Sequence, residues 1–482
     1  MKKSIKKNYI YNLLYQILLV ILPLITTPYI SRVLGSENIG IYSFTSSIVA
    51  YFILFGSLGV ALYGQREIAF VQEDKIKRGE IFWQVNIIKW FAMIISIIIY
   101  IFTFCLSGEY TVYYQILILE LIANMLDISW YYQGLEDFKT TVIRNMIVKV
   151  LCIASIFLFI RTPDDLPLYF IIYTVSNVIG NLTLWIRLPK LLDKPKIKVK
   201  ELKKHIKPII LMFLPQITIQ IYTVLDRTML GFILNDMHQV GIYEQSQKIV
   251  KLSLTVVSAL GTVMVPRIAN LYAKHKIEDI SKNLYNSFHF VFLIGLPIMF
   301  GIMAVSSNLI PWFLGESFID AIPILQIASI LVLAIGLSNI TGMQCLVPTN
   351  RQKDFTFSVV AGAIINVIGN LLLIPNFKAI GAIVSSVLAE FAVTFIQLWK
   401  VRKTILPKVA FQPFFKCFIA SFIMFMVVFL LGMQLSPSFF SSCILIFTGI
   451  VVYGILVIII KEPFVLYGLS WLKKIIGGKH EE

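Results

Sequence analysis

Charge is scarce in this chain. Asp, Glu, Lys and Arg make up 14% of its 482 residues, against roughly 25% in ordinary soluble domains. Hydrophobic residues reach 58% and mean hydropathy is +0.82, which excludes a soluble globular domain. Acidic residues are the scarcer sign, 26 against 42 basic, for a net charge of +16. The five cysteines (Cys105, Cys152, Cys345, Cys417, Cys443) lie in or beside apolar runs without CxxC spacing, so neither a disulfide framework nor a thiolate metal site is indicated. No G-x-x-x-x-G-K-[ST] occurs, so the chain itself is not expected to hydrolyse ATP. The five histidines are scattered, and no zinc, nucleophile-elbow or Ser/His/Asp signature stands out. A membrane glycosyltransferase or polymerase would need a loop large enough to house acidic groups. The longest connection on the weakly charged side, Ser306 to Ile319, is about fourteen residues, within the range of plain connectors. An enzyme is therefore not expected, nor any cofactor.

What remains is a succession of apolar runs of about twenty residues, the length that crosses a bilayer as a helix. They lack the period-two alternation of a β-barrel. Marking them gives fourteen spans, near 9–31, 39–62, 82–106, 110–132, 141–160, 166–187, 208–233, 239–265, 284–305, 320–343, 356–375, 380–401, 413–433 and 438–460. The N-terminal lysines mimic a signal peptide, but the run from Tyr9 to Ile30 is too long and lacks a small-residue cleavage site, so it is read as the first span, retained. The fold class expected is an all-α polytopic membrane protein.

Lysine and arginine orient it. Thirty-four lie on one set of connections; Arg32, Arg161 and Lys378 alone lie on the other, and five fall within spans. By the positive-inside rule both termini are cytoplasmic. The positive charge is thereby explained by topology and anionic lipid, and nucleic acid is not an expected partner. Trp83, Trp130, Trp185 and Trp399 near cytoplasmic span ends, with Trp312 outside, read as an aromatic belt. Phe464 to Lys479 reads as a short interfacial helix.

The basic connection from Lys190 to Lys207 separates six spans from the next six, and the two sides show weak self-similarity. Leu22-Pro23-Leu24-Ile25-Thr26 returns as Leu214-Pro215-Gln216-Ile217-Thr218, and Ile39-Gly40-Ile41-Tyr42 as Val240-Gly241-Ile242-Tyr243. Six spans separate equivalent points, so the repeats are parallel, as in two-lobed transporters that hold substrate near the repeat interface. The division expected is 1–207, 208–402 and 403–482. A third match, Asn177–Leu182 with Asn366–Leu371, breaks this register and is taken as chance. Pro23, Pro28 and Pro215 interrupt the first helix of each half, where a bend suits either a moving element or a static kink.

The densest chemistry lies between Pro208 and Lys251, read as two helices joined by a turn at Asn235-Asp236. Asp226, Arg227, Glu244, Lys248 and Lys251 sit inside those apolar runs. A charge at bilayer depth costs roughly 2.5–3.5 kcal/mol, so such residues face the protein interior or a wet cavity. Glu244, Lys248 and Lys251 share one helix face at i, i+4 and i+7. An internal ion pair that merely joins two helices is the plainer explanation, but five charges in one hairpin exceed what packing needs. Lys89 and Lys149 are further intramembrane cations, Arg32 stands at the outer end of span 1, and Glu120, Asp127 and Glu390 are further intramembrane acids.

Several segments carry a resemblance. The most specific is Asp127-Ile128-Ser129-Trp130-Tyr131-Tyr132-Gln133-Gly134-Leu135-Glu136 with Phe138-Lys139 and Ile143-Arg144-Asn145. Others are Tyr222 to Arg227 with Met229-Leu230-Gly231, Val240 to Gln245 with Lys248-Ile249-Val250, Val265-Pro266-Arg267, Pro297 to Gly301, and Ile380-Gly381-Ala382 with Glu390. Taken together and in order, they resemble polysaccharide flippases of the Wzx (RfbX-like) type, in the MOP superfamily that also holds MATE exporters and lipid II flippases. The resemblance implies fourteen helices in a V-shaped arrangement of two six-helix lobes plus two C-terminal helices, in the bacterial cytoplasmic membrane. It implies transfer of an undecaprenyl-diphosphate-linked oligosaccharide to the outer leaflet, beside glycosyltransferases and a polymerase, for capsule or related surface polysaccharide. Such a substrate needs a wet groove lined with cations, for which Lys248, Lys251, Arg227, Lys149, Lys89 and Arg32 are the candidates. Asp226, Glu244, Asp127 and Glu120 are candidates for proton or sodium coupling. A MATE-type multidrug exporter is the rival; its organic cations call for acidic and aromatic lining, which the excess of lysines disfavours. A scaffold role leaves the charges without a reason.

The topology is open to direct measurement. A reporter fused after Lys200 is expected to read as cytoplasmic and one after Ser317 as external; two reporters on the same side would remove the fourteen-span arrangement.

Overall fold

A computed structural model describes residues 5–192, 199–402 and 410–466. The described chain is helical, with no strands. In order the helices are α1 (Ile5–Ser57), α2 (Val60–Phe70), α3 (Lys75–Tyr100), α4 (Thr111–Leu126), α5 (Ser129–Gly134), α6 (Phe138–Phe159), α7 (Leu166–Arg187), α8 (Lys203–Leu234), α9 (Met237–Ala273), α10 (Ile277–Phe313), α11 (Ala321–Ala328), α12 (Ile330–Ser338), α13 (Gln352–Val401), α14 (Phe414–Gly432) and α15 (Phe439–Ile459).

Among the described residues, eleven helical stretches are long and apolar enough to cross a membrane. Two of them each hold two of the fourteen spans. α1 breaks at Gly35 (φ 77°, ψ 173°) and α13 at Lys378 (φ 52°, ψ −133°), so in each case one residue of positive φ replaces a loop. α8 supplies the remaining span. The expected turn at Asn235-Asp236 is present: Asn235 takes the left-handed conformation (φ 48°) and its N–H closes on the Gly231 carbonyl, a helix stop that asparagine tolerates. Other spans are less regular than their runs suggest. Span 3 ends in a π-helical turn, Ile101–Cys105. Span 4 breaks between α4 and α5, and span 10 is assembled from α11, α12 and a π-helical segment, Asn339–Leu346.

By packing, the chain forms two compact units, Met1–Gly241 and Ile242–Glu482. In the first, α1 packs on α3, α4, α6 and α8, and α4 on α7. Its densest core surrounds the Asp127–Gly134 segment: Trp130, Tyr131 and Tyr132 are buried among Tyr63, Ile68, Phe82, Val85 and Leu184. Phe82 stacks on Trp130 with ring centroids 5.6 Å apart. Trp130, at 2% exposure, is a core residue and not a member of the aromatic belt, because the break after α4 turns its indole inward. Trp399, 51% exposed, fits the belt. In the second unit α10 packs on α14 and α15, and α13 on α11 and α12. Phe414, Phe418, Phe422, Phe425 and Phe429 stack along α14, and buried His289 of α10 meets Glu462, just beyond α15. The interfacial helix expected at 464–479 falls, beyond residue 466, outside the described residues.

The self-similar segments meet inside the first unit. A side chain at Gly40 would run into the Met237 carbonyl, and one at Gly241 into the Ser36 carbonyl. Ser36 Oγ and His238 Nδ1 lie 2.7 Å apart beside this crossing. The contact is reciprocal, since Ser36 precedes Gly40 by the same four residues as Met237 precedes Gly241. Small residues that let backbones touch are a main source of helix association where lipid is as apolar as the side chains. Gly40→Ala or Gly241→Ala is therefore expected to lower the melting temperature of the purified protein, through overpacking of about 1–3 kcal/mol. Gly301→Ala, at a glycine with nothing within 4 Å, serves as control; equal melting of all three would show the crossing to be slack.

Candidate functional site

Lys89, on α3, is 4% exposed and donates from Nζ to the Asp127 carbonyl at 2.8 Å. Trp90 and Trp185 donate their indole N–H groups to the Met125 and Leu126 carbonyls at 3.1 and 2.7 Å. The α4–α5 break frees these three carbonyls, and the three side chains satisfy them, with a cation at the helix C-terminus where the dipole favours it. The Asp127 carboxylate accepts from the Ser129 N–H at 2.8 Å and shapes the turn.

Glu120, on α4, is half-buried and accepts from Asn177 of α7 at 3.1 and 2.9 Å. Tyr42 and Tyr173 lie within its electrostatic reach, and their rings meet edge to face at 5.9 Å. One turn along α7, Asn181 accepts from Arg144 at 3.0 Å and donates to the Ala123 carbonyl at 2.7 Å. Acid, amides and tyrosines thus form a polar seam among α1, α4, α6 and α7.

Asp226, on α8, is buried and its neighbour Arg227 half-buried. Both act electrostatically on Tyr51 of α1, and Thr228 beside them bonds Ser47 of α1 at 2.8 Å. On α9, Glu244 and Lys248 are half-buried and Lys251 exposed, with Glu244 and Lys251 the charges acting on Lys248. Arg32 and Lys149 are exposed. The structure thus joins Lys89 to Asp127, gives Glu120 an amide partner, sets Asp226 and Arg227 beside Tyr51, and keeps the three α9 charges on one helix.

Buried amides were missed. In the second unit Thr341 bonds Gln397 at 2.6 Å and Gln397 bonds Ser358 at 3.0 Å, while Gln344, in the π-helical segment, bonds Ser287 and Asn339 at 2.8 and 3.1 Å. Asn366 and Asn370 are both buried and bond each other, while Asn177 and Asn181 of the matching Asn177–Leu182 segment are half-buried and bond across helices. Their signal was Asn at i and i+4 within an apolar run.

A second polar chain anchors the start of α8. His205, 2% exposed, lies before the apolar run that opens at Pro208. Gln84 donates from Nε2 to Glu201 at 3.2 Å, so its Oε1 faces His205 Nε2 at 2.7 Å as an acceptor. Nε2 therefore carries the proton, and Nδ1 accepts from the Tyr63 hydroxyl at 2.6 Å. Burial depresses the His205 pKa below its ordinary 6.5, reinforced by Lys204 and opposed by Glu67 and Glu201.

Ionisable groups and amides set inside long apolar helices mark a polytopic membrane protein with a polar interior. The comparisons with known proteins narrow it. A family described as Polysaccharide biosynthesis protein matches residues 5–272, more than half of the chain, and the chain belongs to that family. A candidate O-antigen transporter of Escherichia coli (strain K12) is 26% identical over 406 residues, which is 83% of this chain and 97% of that protein. Among solved structures, the lipid II flippase MurJ in an inward closed conformation superposes with a TM-score of 0.74 at 15% identity, over 95% of this chain and 99% of the other. An inward-facing MATE multidrug transporter of the MOP superfamily gives 0.63 at 13% identity, over 80% and 93%. The two structures share the fold, and membership of the polysaccharide biosynthesis family agrees with the Wzx-like resemblance.

The His205 chain makes a pH dependence. Stability contributed by the neutral imidazole is complete above pH 6.5 and is lost as pH falls from there to the depressed folded value, because the unfolded chain takes up its proton first. Melting curves between about pH 8 and about pH 5 are expected to fall more steeply for the parent protein than for His205→Gln; parallel curves would remove His205 as the titrating group.

Proposed function

We propose that this protein moves an undecaprenyl-diphosphate-linked oligosaccharide from the cytoplasmic to the outer leaflet by alternating access, in the assembly of capsule or a related cell-surface polysaccharide. Membership of a polysaccharide biosynthesis family and likeness to an O-antigen transporter support the substrate class. The observation that carries the mechanism is the face of α9 with Glu244, Lys248 and Lys251 at helical spacing. Lys248 and Lys251 are about 4.5 Å apart along the axis. Two ammonium groups so placed repel, so the arrangement is favourable when an anion spends part of the cycle between them. Glu244, one turn away, is the resting partner. A diphosphate fits that role, whereas the organic cation of a multidrug exporter does not.

Replacing Lys248 or Lys251 with alanine is expected to lower surface polysaccharide, or flipping of the lipid-linked precursor, by about tenfold or more at matched protein levels, the loss of one charge-assisted contact of about 1.5–3 kcal/mol. Arginine at either position retains more activity, because charge rather than shape is used. Full activity in a Lys248→Ala/Lys251→Ala double variant would sink the assignment. Unchanged polysaccharide alongside raised drug sensitivity would favour the exporter.

A further inference from the structure

α6 and α7 run antiparallel within the first unit, joined by a short turn at Pro163–Asp165, and two clefts lie between them. The first, about 420 Å³, opens at the end that the positive-inside rule makes cytoplasmic, where Lys139, Arg144 and Arg187 line it with the single carboxylate of Asp137, above walls that include Ile147 and Val148. The second, about 300 Å³, continues along the same pair of helices past Leu151 to Ser155 and Ser176, and Val148 lines both. Two of the cations at the mouth are held in place. Arg187 donates to the Thr140 hydroxyl at 2.7 Å, Thr140 in turn to Asp137 at 2.9 Å, and Arg144 to Asn181 at 3.0 Å. The apolar rim is open: Ile147 is 54% exposed and Leu151 61%.

We propose that this cleft binds one anionic phospholipid of the cytoplasmic leaflet, its phosphate among Arg187, Arg144 and Lys139 and one acyl chain along Ile147, Val148 and Leu151. Charge complementarity selects the headgroup, since three cations against one carboxylate leave an excess of two positive charges at interface depth. Basic pockets between membrane helices on the cytoplasmic side recognise such headgroups. Length selects the tail. From Ile143 to Ser155 the helix rises about 18 Å, close to the ~15 Å of hydrocarbon in one leaflet, and the serine pair closes the apolar track there. A polyprenyl chain would outrun it. The site is independent of the α9 charges and of the proposed substrate.

The test is native mass spectrometry of the purified full-length protein titrated with phosphatidylglycerol or phosphatidylcholine. The expected result is one tightly held phosphatidylglycerol, weakened about tenfold or more by Lys139→Gln/Arg187→Gln, with phosphatidylcholine weak throughout. Ile147→Trp, which fills the track and leaves every cation, is expected to weaken phosphatidylglycerol as well, so the idea stays decidable where the charge variant does not fold. Equal binding of the two lipids, unchanged binding in Ile147→Trp, or one-for-one displacement of phosphatidylglycerol by a polyprenyl phosphate would each overturn it.

Discussion

A polar group at bilayer depth has no water to turn to, and each one left unsatisfied costs several kcal/mol. That constraint shapes the chain more than any hydrophobic preference, because the surroundings are apolar on every side. Hydroxyls fold back on their own helices: Thr45, Thr174, Ser246 and Thr349 each bond a carbonyl one turn earlier. Amides pair across helices, as Asn177 with Glu120 and Gln397 with Thr341. Where the backbone breaks, side chains are recruited to the freed carbonyls, as Lys89, Trp90 and Trp185 are below α4.

The same constraint explains where helices depart from regularity. The α4–α5 break and the Asn339–Leu346 π-helical segment both coincide with dense hydrogen bonding from side chains. Irregular backbone is tolerated at membrane depth only where protein or water answers it, and π-helical turns gather at functional positions. The aromatic core around Trp130 does the same, with Tyr132 donating its hydroxyl to the Leu184 carbonyl.

Much of this was legible in the sequence and some was not, for one physical reason. Run length locates spans, and positive-φ residues end or break them, so the fourteen spans and the Asn235 stop could be read directly. Hydrophobic periodicity, in contrast, loses its meaning when both lipid and core are apolar. Nothing in the pattern told a lipid-facing tryptophan from Trp130, which packs on Phe82. The amide pairs at Asn177 and Asn181 and at Asn366 and Asn370 were visible as letters, but their register suggested coincidence; Asn366 and Asn370 are buried, and half-buried Asn177 and Asn181 bond Glu120, Arg144 and the Ala123 carbonyl across helices. The Ile39–Tyr42 and Val240–Tyr243 likeness was legible as a repeat, yet only the backbone shows its two glycines in mutual contact.

The six cations named from the sequence are therefore not equivalent. Lys89 already gives its ammonium to the Asp127 carbonyl inside a closed core, and meeting a ligand would mean breaking that bond and reopening a helix end, at about 1.5–3 kcal/mol for a hydrogen bond from a charged donor. Arg32 and Lys149 are exposed on α1 and α6; neither has a second cation three or four residues away on its own helix. Lys248 and Lys251 have it by helical geometry alone, whatever rotamers they adopt. A diphosphate passing through this protein would gain most where two like charges are already forced together, because binding there relieves repulsion as well as adding attraction. The proposed site therefore centres on α9 rather than on the scattered cations of the first unit.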